Sequence, residues 1–138
     1  MPTVTPEIRD WLGEQVDNEL DLANVVRRGL PLSVLANFVN HGLTNEEFYN
    51  IVIPARTFKH RKEKVMPLST DESDKALRAA RVLSYAEKTF GSREKALSWM
   101  RKPKQRFEGE SPMQMLRTEA GARLVEEMLI QVDEGMFA

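Results

Sequence analysis

The stretch Thr44-Asn45-Glu46-Glu47-Phe48-Tyr49-Asn50-Ile51-Val52-Ile53-Pro54-Ala55-Arg56-Thr57-Phe58-Lys59-His60-Arg61-Lys62-Glu63-Lys64 decides how the chain is read. Thr44 and Glu47 have the spacing of a capping box, in which a hydroxyl and a carboxylate satisfy each other's backbone donors. The box opens a short helix through Phe48, Ile51 and Val52, and a second helix follows almost at once from Pro54. At about 100° per residue, Ala55, Phe58, Lys62 and Val65 share one face of that second helix. Arg56, Thr57, His60 and Lys64 fall on the opposite face, with Lys59 and Glu63 beside them. Phe58 is expected to anchor the helix inward while the basic face looks out. Two short helices joined tightly, the second one basic, match the helix-turn-helix pattern.

The flanking sequence reads as further helices. Thr5-Pro6-Glu7 looks like an N-cap with proline in the first helical position, followed by Ile8, Trp11, Leu12 and Val16 at helical spacing. A helix over Leu20 to Arg28 should stop at Gly29, and Leu32, Leu35, Ala36 and Val39 mark another, closed by Gly42. Met66-Pro67-Leu68 interrupts the pattern and is the expected boundary between two halves. Beyond it, Ser69-Thr70-Asp71-Glu72 is a second capping box, leading a stripe of Ala76, Ala80, Leu83, Ala86 and Phe90 that Gly91 ends. Ser92 caps a helix through Ala96, Leu97, Trp99 and Met100 that must end before Pro103. Lys102 to Glu110 reads as a loop, and Ser111-Pro112 starts a short helix to Leu116. Thr118 caps the last helix, with Leu124, Val125, Met128, Leu129 and Val132 inward and Gly135 as the stop. No strand alternation is evident, so the expected fold class is all-α, a helix-turn-helix region followed by a C-terminal helical region.

The chain has 138 residues, enough for one compact domain or two small ones, and it has no cysteine for disulfides, thiolate metal sites or thiol nucleophiles. Its net charge of −1 conceals a strong asymmetry. Residues 1–50 balance at −5, residues 51–110 at +7 and residues 111–138 at −3. Such sorting suits a local anionic partner, although basic residues on solvated helix faces give the same count. No run of apolar residues exceeds three, far short of the roughly 20 a membrane span needs. The first 20 residues include six charged ones and no apolar stretch of the kind a signal peptide carries. A cytoplasmic location without membrane contact is the expectation.

Catalytic constellations are hard to find. His41 and His60 are the only histidines; His41 sits at a helix end, where capping explains it, and His60 lies within the basic face. Without cysteine, two histidines do not make a standard zinc site. Glu46-Glu47, Glu126-Glu127 and Asp133-Glu134 are sequence neighbours, which diverge by about 100° on a helix and so do not face each other as an acid and a base. No enzymatic activity, metal or cofactor is expected. Four of the seven methionines lie between Met113 and Met136, consistent either with core filling or with an adaptable protein-binding surface. Met136-Phe137-Ala138 is an apolar tail past a helix stop, which is unfavourable in water unless it packs or docks.

Taken together, these residues resemble the antitoxins of the Xre/MbcA/ParS type, especially the Xre-like partner of RES-domain toxins. The first half resembles them through Arg27-Arg28-Gly29-Leu30-Pro31, Ile53-Pro54-Ala55-Arg56-Thr57-Phe58 and Arg61-Lys62. The junction does so through Leu68-Ser69, Glu72-Ser73 and Arg78. Ala86-Glu87, Phe90-Gly91, Ala96, Trp99, Pro103, Gly109, Ser111-Pro112, Leu116, Thr118, Gly121, Val125, Leu129 and Gly135 carry it onward, so that it covers roughly residues 20–138. No single piece is diagnostic; the specificity lies in their order and spacing together.

The resemblance implies a variable lead-in over residues 1–19, a helix-turn-helix DNA-binding region over 20–66 and a C-terminal toxin-binding and dimerisation region over 67–138. It implies a homodimer that neutralises a cognate RES-domain toxin, represses its own operon by binding operator DNA, and leaves the NAD chemistry to the toxin, with no cofactor of its own. Arg56, Thr57 and Arg61 fall on the family's recognition-helix motif, and spacing adds Lys59, His60 and Lys64 as DNA contacts. Arg61 flanks the buried stripe, which leaves a structural role open to it as well. Gly135, Met136, Phe137 and Ala138 match the family's ending and are the expected toxin contacts, whereas Trp99, Gly109 and Gly121 are expected to serve the fold, Trp99 in the C-terminal core. The sequence departs from the family in one loop, where Glu108-Gly109-Glu110 stands in place of a paired glycine, and a missing glycine restricts positive φ angles. The alternative is a free-standing helix-turn-helix transcriptional repressor with a helical dimerisation domain.

Overall fold

A computed structural model describes residues 4–135, which form nine α-helices and one short 3-10 turn. They are α1 (Pro6–Leu12), α2 (Glu19–Arg28), α3 (Val34–Asn40), α4 (Asn45–Ile51), α5 (Ala55–Glu63), α6 (Thr70–Phe90), α7 (Arg93–Arg101), α8 (Pro112–Met115) and α9 (Glu119–Asp133). Side-chain capping sets most of the starts. Thr5, Asn18, Thr44, Ser69, Ser92, Ser111 and Thr118 each accept a backbone N–H from the first turn that follows. Each such cap contributes about 1 kcal/mol and fixes where its helix begins.

The long α6 is the spine, packed against α1, α2, α7 and α9. Ala76, Ala79, Ala80 and Ala86 are wholly buried on it together with Val82 and Leu83. Small side chains let neighbouring helices approach from several directions, which a spine of leucines would not. One core runs through the chain, from Trp11, Leu12, Phe38 and Phe48 to Leu116, Val125 and Leu129. Trp11 meets Phe38 edge-on at 5.0 Å between ring centroids, and Phe38 meets Phe48 in the same way at 5.3 Å.

Met66-Pro67-Leu68 breaks the helical pattern without separating two cores. Leu68 is buried, its N–H donates to the Leu30 carbonyl at 2.9 Å, and the Leu30 N–H donates to the buried Ser73 Oγ at 2.8 Å. The Thr70 hydroxyl donates to the Arg27 carbonyl at 2.9 Å. Gly29 has φ +97°, and a Cβ there would run into the Leu68 carbonyl. Residues 27–30 and 68–73 are thus one stitched corner, which gives those parts of the resemblance a structural reason.

The structure departs from several expectations. Val16 is buried but lies beyond α1, which Gly13 ends in the left-handed region. The inward face of α3 is Val34 and Phe38, with Leu32 and Leu35 half-buried, Ala36 exposed and Val39 39 % exposed. The helix begins only at Val34, and the i, i+4 pair Val34 and Phe38 points into the core where Trp11 waits. Val65 is not part of a buried stripe: it lies past the end of α5 and is 90 % exposed. Leu124 is 45 % exposed, because Val125 and Leu129 define the line that meets α6 and Leu124 is turned about 100° from it. Trp99 is only half-buried, packed on Phe90 at 5.5 Å. In the departing loop Glu108 itself takes the left-handed conformation, φ +55°, beside Gly109 at +91°. Mutual bonds between Lys104 and the 109–110 segment, each 3.0 Å, hold that shape.

Candidate functional site

The α4–α5 pair is built from its cap outward. The Thr44 N–H donates to Glu47 Oε1 at 2.9 Å while the Glu47 N–H donates to Thr44 Oγ1 at 3.0 Å. Ile51, Val52 and Ile53 are buried in succession, pinning the turn, and Pro54 stands at the N-cap of α5. None of the side chains of α5 is fully buried. Phe58 is its apolar anchor, half-buried against Tyr49 at 5.9 Å and Phe48 at 6.4 Å.

The outward side is cationic. Arg56, Lys59, His60, Lys62 and Lys64 are exposed, and Thr57 is half-buried among them. Among the described residues, Arg56, Lys59, Lys62 and Lys64 form no ion pair. The helical wheel sets Lys62 on the Phe58 face, yet the shallow seating of α5 leaves this lysine in solvent, and it joins the basic set. Arg61 is oriented differently from the rest. Its guanidinium grips Glu72 with Nε to Oε1 at 3.3 Å and Nη2 to Oε2 at 3.0 Å. Glu72 also accepts the Ser69 N–H at 2.7 Å. Burial alone would raise the Glu72 carboxyl, but the hydrogen bonds from Ser69 and Arg61 and the Arg61 charge outweigh it and hold it below its ordinary value.

The C-terminal region is braced by arginines. Arg78 donates to the Leu116 and Arg117 carbonyls at 3.2 and 2.9 Å, closing the end of α8. Arg81 pairs with Glu126 at 3.0 Å and with Glu119 at 3.4 Å, tying α6 to α9. Gly121 is buried where a Cβ would meet the Met115 carbonyl, so α8 and α9 cross in backbone contact. Leu124 and Ile130 expose apolar surface on α9, 45 % and 44 %. Gly135 is exposed with φ +78°; Met136, Phe137 and Ala138 lie outside the described residues.

His41 caps α3, its Nδ1 lying 2.7 Å from the Asn37 carbonyl. Among the described residues no group of three or more His, Asp or Glu stands close enough together to hold a metal ion, and no helix is long and apolar enough to cross a membrane.

A helix-turn-helix bearing an outward basic helix, joined through α6 to a helical C-terminal region, fits what comparison with known proteins returns. Residues 21–81 match the model of the antitoxin Xre-like helix-turn-helix domain, and residues 86–135 match that of the antitoxin Xre/MbcA/ParS C-terminal toxin-binding domain. An antitoxin Xre of Pseudomonas putida is 38 % identical over 121 residues, spanning 88 % of this chain and 76 % of the relative. An antitoxin Xre of Photorhabdus laumondii is 27 % identical over 117 residues, 83 % of this chain and 79 % of the relative. A Sphingobium protein named a Prs ADP-ribosylating antitoxin is 26 % identical over 130 residues, 86 % and 82 % of the two chains. These define an antitoxin of a toxin–antitoxin system that carries a helix-turn-helix domain. Within that class, the chain belongs to the Xre/MbcA/ParS antitoxin family.

Proposed function

We propose that the chain, as a cytoplasmic homodimer, binds and neutralises an NAD-consuming RES-domain toxin and represses its own operon by binding operator DNA. The basic helix α5 carries the DNA half of this reading: its side chains are barely used by the core, and its cations Arg56, Lys59, Lys62 and Lys64 stand exposed and unpaired among the described residues. Cations in that state are available to phosphates, and each contact releases counterions from the duplex. Arg56, Thr57, Lys59, His60 and Lys64 are the proposed contacts, within residues 20–66. Toxin contact falls in residues 67–138, with the tail Gly135, Met136, Phe137 and Ala138 as its focus. Residues 1–19 are a lead-in outside both roles.

The toxin chemistry is supported by the resemblance to partners of RES-domain toxins and by the relative named for ADP-ribosylation, a reaction that consumes NAD. Nothing in the antitoxin is asked to catalyse it. The test is to purify the tagged chain from its own host. A RES-type protein recovered in near-stoichiometric amount, with its NAD consumption suppressed in the complex, is the expected result. Recovery of the homodimer alone, from cells that express it well, replaces this reading with a free-standing repressor.

A further inference from the structure

We propose that Arg61 aims the basic helix through Glu72 and is not itself a DNA contact; this rests on the operator-binding reading above. Beyond the turn pinned by Ile51, Val52 and Ile53, two side chains of α5 grip the body. One is Phe58, half-buried against Phe48 and Tyr49. The pinned turn and one aromatic contact leave the roll of the helix weakly held, and with it the direction in which Arg56, Lys59 and Lys64 face. The second point is Arg61, three residues further on, gripping Glu72 with two N–H groups.

Glu72 is a rigid place to hold. It sits in the first turn of α6, where it completes the capping box with Ser69: the Ser69 N–H reaches Glu72 Oε1 at 2.7 Å and the Glu72 N–H reaches Ser69 Oγ at 3.1 Å. The next residue, Ser73, is buried and bonded to Leu30. The carboxylate is therefore fixed to α6, the helix that packs against α1, α2, α7 and α9. Arg61 also closes its own end of the helix, its carbonyl accepting the Met66 N–H at 2.9 Å. Its side chain is 21 % exposed and that of Glu72 12 %.

Electrostatics opposes a direct contact. The forked pair already neutralises the guanidinium, and a phosphate that captured Arg61 would leave Glu72 unpaired beside the polyanion. That arrangement adds a like charge at the interface. The two roles for Arg61 therefore predict opposite signs for the removal of the Glu72 charge.

The experiment measures affinity of the full chain for duplex DNA from upstream of its own gene, for wild type, Glu72→Gln, Arg61→Ala and the double variant. Glutamine keeps an oxygen for the Ser69 cap, so α6 stays capped, and thermal melts check that each variant is folded. Positioning predicts that Glu72→Gln and Arg61→Ala each weaken binding about tenfold, the scale of one lost charged hydrogen-bond pair. It also predicts that the double variant is no weaker than either single one. Direct contact predicts instead that Glu72→Gln binds as well as wild type or better, and that Arg61→Ala lowers the salt slope by about 0.9. Either that pattern or strictly additive losses overturns the positioning role while wild-type binding leaves the repressor reading standing. A wild-type chain that does not bind the duplex overturns the repressor reading, and this role with it.

Discussion

Arg101, at the end of α7, holds Glu47, in the first turn of α4, by two parallel bonds of 2.9 Å, Nε to Oε2 and Nη2 to Oε1. The same Nη2 donates to the Gly42 carbonyl at 2.8 Å. Glu47 is also the acidic half of the α4 capping box. One guanidinium from the toxin-binding domain match thus braces both the entry to the helix-turn-helix pair and the residue that caps it. The two matched regions are mechanically joined here as well as along α6.

Replacing Arg101 should therefore act on α4 from a distance of 54 residues along the chain. The Arg101 side chain is 39 % exposed, so solvent screens much of the pair's attraction and a loss of about 1 kcal/mol is expected for Arg101→Ala. Arg101→Lys should recover less than half of it, since an ammonium cannot reproduce the fork. Urea denaturation of the three proteins at neutral pH measures both values. A lysine variant as stable as wild type would show that charge alone, not the fork, carries the contact.

Acid should undo both capping-box glutamates. Burial alone would raise the Glu47 carboxyl, yet the Arg101 and Thr44 hydrogen bonds and the Arg101 charge more than offset it and hold it below 4.5. Glu72 is held below the same value by Ser69 and Arg61 against its own burial. A carboxyl depressed in the folded state stabilises the protein fully above its unfolded value, and that contribution fades as pH falls through the folded value. Stability from these two groups should be complete at pH 6 to 7 and decline from about pH 4.5 downward. Glu47→Gln with Glu72→Gln should be less stable than wild type at pH 7, with the difference shrinking at pH 3. A gap that stays constant between those pH values would remove these groups from the acid response.

The sequence made the capping boxes, the glycine stops and the order of helices legible, because caps are local chemistry written within four residues. Ser69 with Glu72 and Thr44 with Glu47 both form as their spacing predicts. Faces of short helices were harder to read. On a helix of seven residues such as α3, one residue's change in the starting point rotates the inward side, so that Val34 and Phe38 are fully buried while Leu35 is half-buried and Val39 exposed. The basic surface of α5 was legible as a charge pattern, but the turn of Arg61 toward Glu72 was not. That pairing joins residues 11 apart across a helix break, and neither residue's own periodicity reports it. The same holds for Arg101 and Glu47.

Arg56 provides a direct test of the outward face of α5. It is exposed and lies opposite the Phe58 anchor, so Arg56→Ala should leave the melting temperature within about 1–2 °C of wild type, as for surface substitutions that touch no network. Binding to operator DNA should weaken, and the slope of log K against log salt should fall by about 0.9 if one phosphate contact is lost. A base-edge contact would leave the slope nearly unchanged and relax sequence preference instead. A large drop in melting temperature would contradict the assignment of this side chain to the solvent face.

The end of α5 contains a conformation its sequence does not favour. Val65 has φ +55°, the left-handed region, and a β-branched residue there is a genuine outlier. Two bonds hold it: the Met66 N–H reaches the Arg61 carbonyl at 2.9 Å and the Val65 N–H reaches that of Lys62 at 3.2 Å. This is the pattern that ends many helices, with the left-handed position normally given to glycine. The side chain is 90 % exposed, so replacing it forfeits almost no apolar burial. Relief of roughly 1–2 kcal/mol of backbone strain competes with the roughly 0.5–1 kcal/mol of extra chain entropy that glycine has when unfolded. Val65→Gly should therefore stabilise the chain by about 0.5–1 kcal/mol, raising its urea midpoint without changing the slope of the transition. Val65→Ala should gain less, because it removes the branch and keeps the Cβ. If both variants lose stability instead, the strain argument fails and the valine side chain must make a stabilising contact that its exposure does not reveal.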